Sequence, residues 1–270
     1  MTLRPNALIG SLLVGTVMTI AAVATVWTPY DPLEVDLLAK LEPPSSDHWF
    51  GTDEYGRDVL SRAMSGAATS CIISLLTVLF AVIYGTFIGA VAGFLRGWTD
   101  QLLMAVNDAL LAFPGILLGL GVMVVIGPSR FGIVLALILA YSPSVVRVVR
   151  GTVLSLREKE YVEASRMIGN SEWTTLRRHV LPSCVTPLAV LASSMFGWVL
   201  LSESALSFLG LGVPPPAPTW GNMLSGARSY LQTASWLGLV PGLFIALTLL
   251  GINLLGDAIR DKLDPRMDGS

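Results

Sequence analysis

The stretch Cys71-Ile-Ile-Ser-Leu-Leu-Thr-Val-Leu-Phe-Ala-Val-Ile-Tyr-Gly-Thr-Phe-Ile-Gly-Ala-Val-Ala-Gly-Phe-Leu95 contains no charged side chain. A helix that spans the membrane needs about 20 consecutive, mostly apolar residues. The stretch therefore predicts a transmembrane helix. Its glycines recur every four residues, at Gly85, Gly89 and Gly93, and so lie on one helical face. Small residues at this spacing let a second helix approach closely within the membrane.

Five further segments are long and apolar enough to span the membrane. They are residues 7-27, 101-126, 131-149, 183-209 and 237-256. The chain is 53% hydrophobic and only 13% charged, with a mean hydropathy of +0.68, whereas a soluble domain carries about a quarter charged residues. The sequence thus predicts an all-α membrane protein with six transmembrane helices. Pro114 and Pro143 remove backbone donors inside two of the spans and predict kinks there.

The distribution of lysine and arginine predicts the orientation of the six spans. With the N-terminus inside, 12 of the 17 basic residues fall in cytoplasmic segments, so both termini are expected in the cytoplasm of a prokaryotic cell. The expected organisation is a first helix (1-27), an extracytoplasmic loop (28-70) and a core (71-270) with a basic loop (150-182). Ala22-Val23-Ala24 resembles a signal-peptidase site, but the long apolar run before it favours an uncleaved helix.

Several classes of function find no support in the residues. The chain contains no Gly-x-x-x-x-Gly-Lys-Ser/Thr phosphate loop, no Gly-x-Ser-x-Gly elbow and no His-Glu-x-x-His motif. The expected topology puts Cys71 and Cys184 on opposite sides of the membrane, and likewise His48 and His179, so no disulfide and no His/Cys metal cluster is expected. A net charge of -2 gives no case for nucleic-acid binding. We therefore expect no catalytic residues, metal or cofactor.

The basic loop predicts two helices around a glycine turn. The first covers residues 156-168 and ends at Gly169-Asn170, residue types that suit a left-handed C-terminal cap. Ser171 is placed to cap a second helix, which we expect Pro182 to end. Two alternatives stay open at this point: a solvated loop whose arginines only follow the positive-inside bias, and a DNA-reading helix-turn-helix. The spans on both sides and the acidic net charge disfavour the second.

The same loop resembles a known family. Tyr161-Val-Glu163-Ala164-Ser165-Arg-Met-Ile-Gly169 followed by His179-Val-Leu-Pro182 is similar to the "EAA" loop of binding-protein-dependent ABC importer permeases, with Ser165 in place of an alanine. Three further motifs resemble the "C" type permease of the dipeptide, oligopeptide and nickel branch. They are His48-Trp-Phe-Gly-Thr-Asp-Glu-Tyr-Gly-Arg-Asp58, Leu206-Ser-Phe-Leu-Gly-Leu-Gly-Val-Pro214 with Trp220-Gly221, and Leu255-Gly-Asp257-Ala-Ile-Arg260-Asp-Lys-Leu-Asp264-Pro265-Arg266.

The resemblance implies a type I ABC importer permease fold with a cytoplasmic coupling helix. It implies four partners: a second homologous permease subunit, two ABC ATPases and an extracytoplasmic substrate-binding protein. The coupling residues would be Tyr161, Glu163, Ala164, Ser165, Arg166 and Gly169. Short peptides are the expected cargo, and nickel or a metal chelate is the alternative. A secondary transporter is the alternative from another class, although no internal repeat supports it.

Two further sets of residues are candidates for function. Polar groups inside spans are costly and mark the translocation pathway or helix-to-helix hydrogen bonds. The candidates are Asn107, Asp108, Glu203 and Asn253. In the extracytoplasmic loop, Asp53, Arg57 and Asp58 are expected either to meet the binding protein or to brace the loop itself.

Overall fold

The computed structural model describes residues 5–263, and these residues are predominantly helical. The elements are α1 (Pro5–Val23), α2 (Val59–Leu95), α3 (Gly97–Leu111), α4 (Gly115–Ile126), α5 (Arg130–Leu156), α6 (Glu160–Met167), α7 (Glu172–Thr175), α8 (Val185–Phe208), α9 (Trp220–Ala227) and α10 (Trp236–Leu263). Five helices are long and apolar enough to cross a membrane, or six if α3 and α4 count as one broken span. The predicted all-α membrane fold is confirmed. The Asp264-Pro265-Arg266 part of the tail motif lies outside the described residues.

The second span extends well beyond its predicted start at residue 71. Helix α2 begins at Val59 because Asp58 caps it: the Asp58 carboxylate accepts hydrogen bonds from the Ser61 backbone N–H and hydroxyl, both at 2.7 Å. Residues 59 to 70 of the predicted loop are therefore helical. The sequence concealed this start because the added turns carry polar side chains that contact the 28–58 segment.

The glycine stripe packs α2 closely against another helix, as its spacing predicted, and that helix is α5. A methyl group added at Gly89 would lie 2.6 Å from the Val146 carbonyl oxygen and 2.9 Å from the Val149 side chain. Gly93 approaches α5 in the same way, because an added methyl group would lie 3.0 Å from the Arg150 carbonyl oxygen. The backbones of the two helices thus touch, and no larger residue fits between them.

The three prolines for which the sequence predicted a kink or a helix end, Pro114, Pro143 and Pro182, differ in their effect on the helices. At Pro114 the third span breaks, and α3 and α4 meet at a bend of 91°. Pro143 lies inside α5, which continues through it without a break. The expected stop at Pro182 was wrong. A π-helical turn (Leu176–Val180) and a 3₁₀ turn (Leu181–Cys184) carry the chain from α7 into α8. Pro182 sits in the first turn of the 3₁₀ segment, where its missing N–H is not needed.

The ends of α2 define two faces of the bundle. The 28–58 face carries the segment before α2 together with α9, whose Trp220 is fully buried and donates its indole N–H to the Ala63 carbonyl at 3.0 Å. The α6 face, at the other end of α2, carries the short helices α6 and α7. Along the bundle, α1 packs on α10 and α8 packs against α2 and α10.

Candidate functional site

The α6 face is built from two short helices joined by a glycine turn. Helix α6 has Glu160 and Glu163 in its first turn and Arg166 in its last, an arrangement that favours the helix dipole at both ends. Gly169 follows with φ +93°, the left-handed conformation that its sequence position predicted. Ser171 then caps α7 by accepting the Thr174 backbone N–H at 3.2 Å. The predicted helix, turn and helix are present, although α6 begins four residues later than residue 156.

One side of α6 faces inward and is held by α7. Val162 and Ser165 are buried. The Ser165 hydroxyl contacts the Thr175 hydroxyl at 3.1 Å and accepts a hydrogen bond from the Asn170 side-chain amide at 3.0 Å. Ser165 therefore joins the two helices from behind rather than presenting itself on the surface.

The opposite side of α6 is exposed and apolar. Tyr161, Ala164 and Ile168, the residues expected to form an apolar face, all lie at the surface. Trp173 of α7 is exposed as well. Glu163 is also exposed, on the same free surface. These side chains form a ledge backed by the rigid contacts of Ser165.

Phe94, at the end of α2, anchors this ledge and was not foreseen from the sequence. Phe94 is 6% exposed, and two guanidinium groups lie near its ring: the Cζ atom of Arg157 is 5.8 Å from the ring centroid and that of Arg166 is 5.7 Å away. Arg157 Nη1 also donates to the Phe94 carbonyl oxygen at 2.7 Å. We call these three residues the Phe94 clamp. It joins the loop before α6, and α6 itself, to α2.

Two ion pairs flank the clamp. Arg96 Nη2 lies 2.9 Å from Glu158 Oε1, and Arg166 Nε lies 3.2 Å from Glu172 Oε1. Burial, followed by the nearby charges of Arg96 and Arg166, lowers the pKa of Arg157 from its ordinary value. The carboxylates of Glu158 and Glu172 act in the opposite direction, so the cluster of arginines is balanced by acidic neighbours.

On the 28–58 face, Asp53 is the centre of a buried ion-pair network. Its Oδ2 atom accepts the Arg57 Nε–H at 2.7 Å and lies 3.2 Å from Arg62 Nε. Its Oδ1 atom accepts the backbone N–H groups of Tyr55 and Arg57. Asp58 caps α2 and also contacts His48 Nδ1 at 3.0 Å. The geometry of Asp53, Arg57 and Asp58 is therefore that of a brace for this segment.

The four intramembrane candidates do not share one site. Glu203 is fully buried and accepts the Ser207 hydroxyl at 2.8 Å, with Ser70, Ser204 and Thr219 also within its hydrogen-bonding environment. Asn107 is buried, and its side-chain nitrogen has no partner among the described residues. Asp108 pairs with Arg147 at 2.9 Å on the exposed side of α3. Asn253 is exposed on α10. Glu203 thus joins helices, whereas Asp108 and Asn253 face outward from this chain.

Within residues 5–263, no group of three or more His, Cys, Asp or Glu side chains is placed to hold a metal ion. Cys71 and Cys184 are both buried and free. The chemistry of the described chain is thus that of apolar packing, ion pairs and hydrogen bonds.

A bundle of apolar helices long enough to span a membrane, with a small apolar ledge exposed at one face, defines a polytopic helical membrane protein. Residues 85–269 match the family of binding-protein-dependent transport system inner membrane components. The chain belongs to this family and is a multi-pass inner-membrane transport component rather than an enzyme. Such a component works together with other permease, ATPase and binding-protein components.

Relatives cover nearly the whole chain. A Brucella suis protein with the provisional name of a peptide transport system permease is 42% identical over 93% of this chain and 85% of its own length. The dipeptide transport system permease protein DppC of Alkalihalophilus pseudofirmus is 39% identical, covering 97% of this chain and 86% of its own. The glutathione transport system permease protein GsiD of Pectobacterium atrosepticum is 40% identical, covering 97% and 87%.

A solved structure has the same fold. Structures of the MetNI methionine ABC transporter in inward facing conformations contain a chain that superposes with a TM-score of 0.60 at 18% identity, covering 74% of this chain and 94% of that one. The expected type I importer permease fold is thereby confirmed.

Proposed function

We propose that this chain is one of two permease subunits of an ATP-driven importer for short peptides. The observation that carries the proposal is the exposed ledge of α6 and α7, clamped to a transmembrane helix in a chain without a phosphate loop. The energy for transport must then come from another subunit, and the ledge is the surface suited to contact that subunit. The names of the relatives, which refer to peptide, dipeptide and glutathione transport, support peptides as cargo. They do not support nickel, and the family does not support a secondary transporter.

In the proposed assembly, a second, homologous permease subunit completes the pathway and two ABC ATPases lie on the α6 face. An extracytoplasmic binding protein delivers the peptide at the 28–58 face. The placement of lysine and arginine supports this orientation, with both termini in the cytoplasm.

Motion would pass from the ATPases through the ledge. Tyr161, Ala164 and Ile168 give α6 an apolar surface for a groove, while Glu163 supplies a polar contact at its rim. The inward contacts of Ser165 and the left-handed turn at Gly169 keep α6 and α7 in a fixed relation. Arg166 then passes displacement to Phe94 and hence to α2. A rigid ledge transmits displacement, whereas a flexible loop would absorb it.

The 28–58 face is proposed to receive the binding protein, with the Asp53, Arg57 and Asp58 network shaping the segment rather than meeting the partner. The buried carboxylates of Asp53 and Asp58 support this division of roles. Removal of either carboxylate is expected to disturb docking indirectly, by loosening the segment that carries the contact surface.

The proposal is tested with the complete complex in proteoliposomes. We expect uptake of di- and tripeptides that requires ATP and the binding protein, and that a proton gradient alone does not drive. Glu163→Lys is expected to abolish uptake and the stimulation of ATP hydrolysis by loaded binding protein, while membrane insertion is retained. The matched control is Glu160→Lys, in the same first turn of α6. Uptake driven by a proton gradient without ATP would overturn the proposal, and wild-type stimulation in the Glu163→Lys complex would remove α6 as the coupling element.

A further inference from the structure

Two ion pairs connect α3 to α5, and they differ in how they are built. Arg150 binds Asp100 with two parallel hydrogen bonds, of 2.6 and 2.7 Å, and the side chains are 29% and 14% exposed. Arg147 makes a single contact of 2.9 Å with Asp108, and these side chains are 61% and 56% exposed. The first pair has the bidentate geometry of a structural tie. The second holds the same two helices with one contact and leaves most of its hydrogen-bonding capacity unused.

The exposed pair lies in the parts of the α3–α4 span and of α5 that are nearer the α6 face. Arg147 is nine residues before the end of α5 and Asp108 is eleven residues after the start of α3, so the two lie about 14 and 16 Å along their helices from the α6 face. Arg96, next to the start of α3, lies 2.9 Å from Glu158, just after the end of α5. The start of α3 and the end of α5 are therefore close together. Charged side chains within membrane-spanning helices pair with one another and face a bundle interior or a water-filled cavity rather than lipid.

We propose that Asp108 and Arg147 bind the charged termini of a short peptide during its passage through the membrane. This inference rests on the proposed function. Asp108 accepts hydrogen bonds from the peptide α-ammonium group, and Arg147 donates to its α-carboxylate. Without cargo the two side chains satisfy each other, so the site carries no unpaired charge. When a peptide is bound, each of the two side chains contacts the oppositely charged terminus of the peptide in place of the other side chain. The number of charge-assisted hydrogen bonds is then the same or larger.

The chemistry of a peptide distinguishes this site from a site for metal ions or sugars. An extended dipeptide spans about 7 Å, so a peptide held at both ends requires Arg147 to swing away from Asp108. The high exposure of both side chains permits this movement. Specificity for the termini, and not for side chains, suits an importer of varied short peptides.

The first test compares peptide transported per ATP hydrolysed by the complete complex, for an equimolar mixture of di- and tripeptides quantified by mass spectrometry. Because a charged hydrogen-bond partner is lost, we expect Asp108→Asn and Arg147→Gln each to lower this ratio about tenfold. Stimulation of ATP hydrolysis by loaded binding protein should persist. Asp100→Asn is the matched control, and we expect it to reduce the amount of stable complex but not the ratio. Wild-type ratios in both variants of the exposed pair would overturn the inference.

A second test asks whether position 108 meets water. Asp108→Cys is expected to react with a charged, membrane-impermeant thiol reagent in inverted vesicles, against a low background because Cys71 and Cys184 are buried. Leu79→Cys, on an exposed apolar position of α2, is expected to stay unlabelled. No labelling at position 108 in a complex that retains stimulated ATP hydrolysis would overturn the site. A wild-type complex without ATP-driven peptide uptake would instead contradict the proposed function.

Discussion

Replacing Phe94 with leucine tests whether the clamp on α2 transmits motion. Leucine keeps an apolar side chain at this position and leaves the hydrogen bond from Arg157 to the backbone carbonyl in place. It removes the ring that both guanidinium groups approach. Each cation–π contact at a partly exposed site is worth about 0.5–1 kcal/mol. We therefore expect the docking of α6 on α2 to weaken by about 1–2 kcal/mol, or about 5–30-fold.

Two measurements on the complete complex check this expectation. Hydrogen exchange at the backbone amides of α6 should accelerate by about the same 5–30-fold, because local opening becomes more frequent. Peptide transported per ATP should fall. Phe94→Trp should restore both, since it keeps an aromatic face. Phe87→Leu, at an exposed position of the same helix, is the matched control and should change neither. Wild-type exchange and coupling in Phe94→Leu would refute the role of the clamp.

Two further predictions concern the bundle itself. Gly89→Ala should destabilise the protein by about 1–3 kcal/mol, because the added methyl group meets the Val146 backbone, which cannot retreat; thermal unfolding in detergent measures this. Gly151→Ala, where an added methyl group meets nothing within 4 Å, is the control, and equal melting of the two variants would contradict the packing. Glu203→Leu should cost about 1–3 kcal/mol by leaving buried hydroxyl groups unpaired, whereas Glu203→Gln should melt closer to wild type. Equal losses of stability in both Glu203 variants would count against a hydrogen-bonding role.

Much of the fold follows from local chemistry and was therefore predictable. Runs without charge predicted the spans, and four-residue glycine spacing predicted a close contact with another helix, which the structure identifies as α5. Gly169 and Ser171 predicted the turn and cap between α6 and α7, because each acts on backbone groups within a few residues. The prediction that the second helix of the basic loop ends at Pro182 was wrong. A π-helical turn before Pro182 changes the hydrogen-bond register, so that the helical path accommodates a proline.

The contacts that make up the candidate site were mostly hidden, because their partners are distant in the sequence. Arg157 lies 63 residues from Phe94, and no local pattern joins an aromatic residue at the end of a span to an arginine in a later loop. The charged residues of the 28–58 segment differ, because their partners are close in the sequence. Asp53 and Arg57 are spaced four residues apart, and Asp58 stands three residues before Ser61. Both spacings fit the local pairing and capping that the structure has, although the sequence alone left bracing and docking open.

The length of α2 explains how the two faces can act together. Its 37 residues make a helix of about 55 Å, whereas the hydrocarbon core of a bilayer is about 30 Å thick. Helix α2 is therefore longer than the core is thick, and its two ends lie at the braced 28–58 segment and at the Phe94 clamp. The glycine stripe fixes α2 against α5 over the stretch nearest the clamp. In the proposed mechanism a single helix joins the two faces, so a displacement of α6 would reach the 28–58 face without crossing a flexible joint.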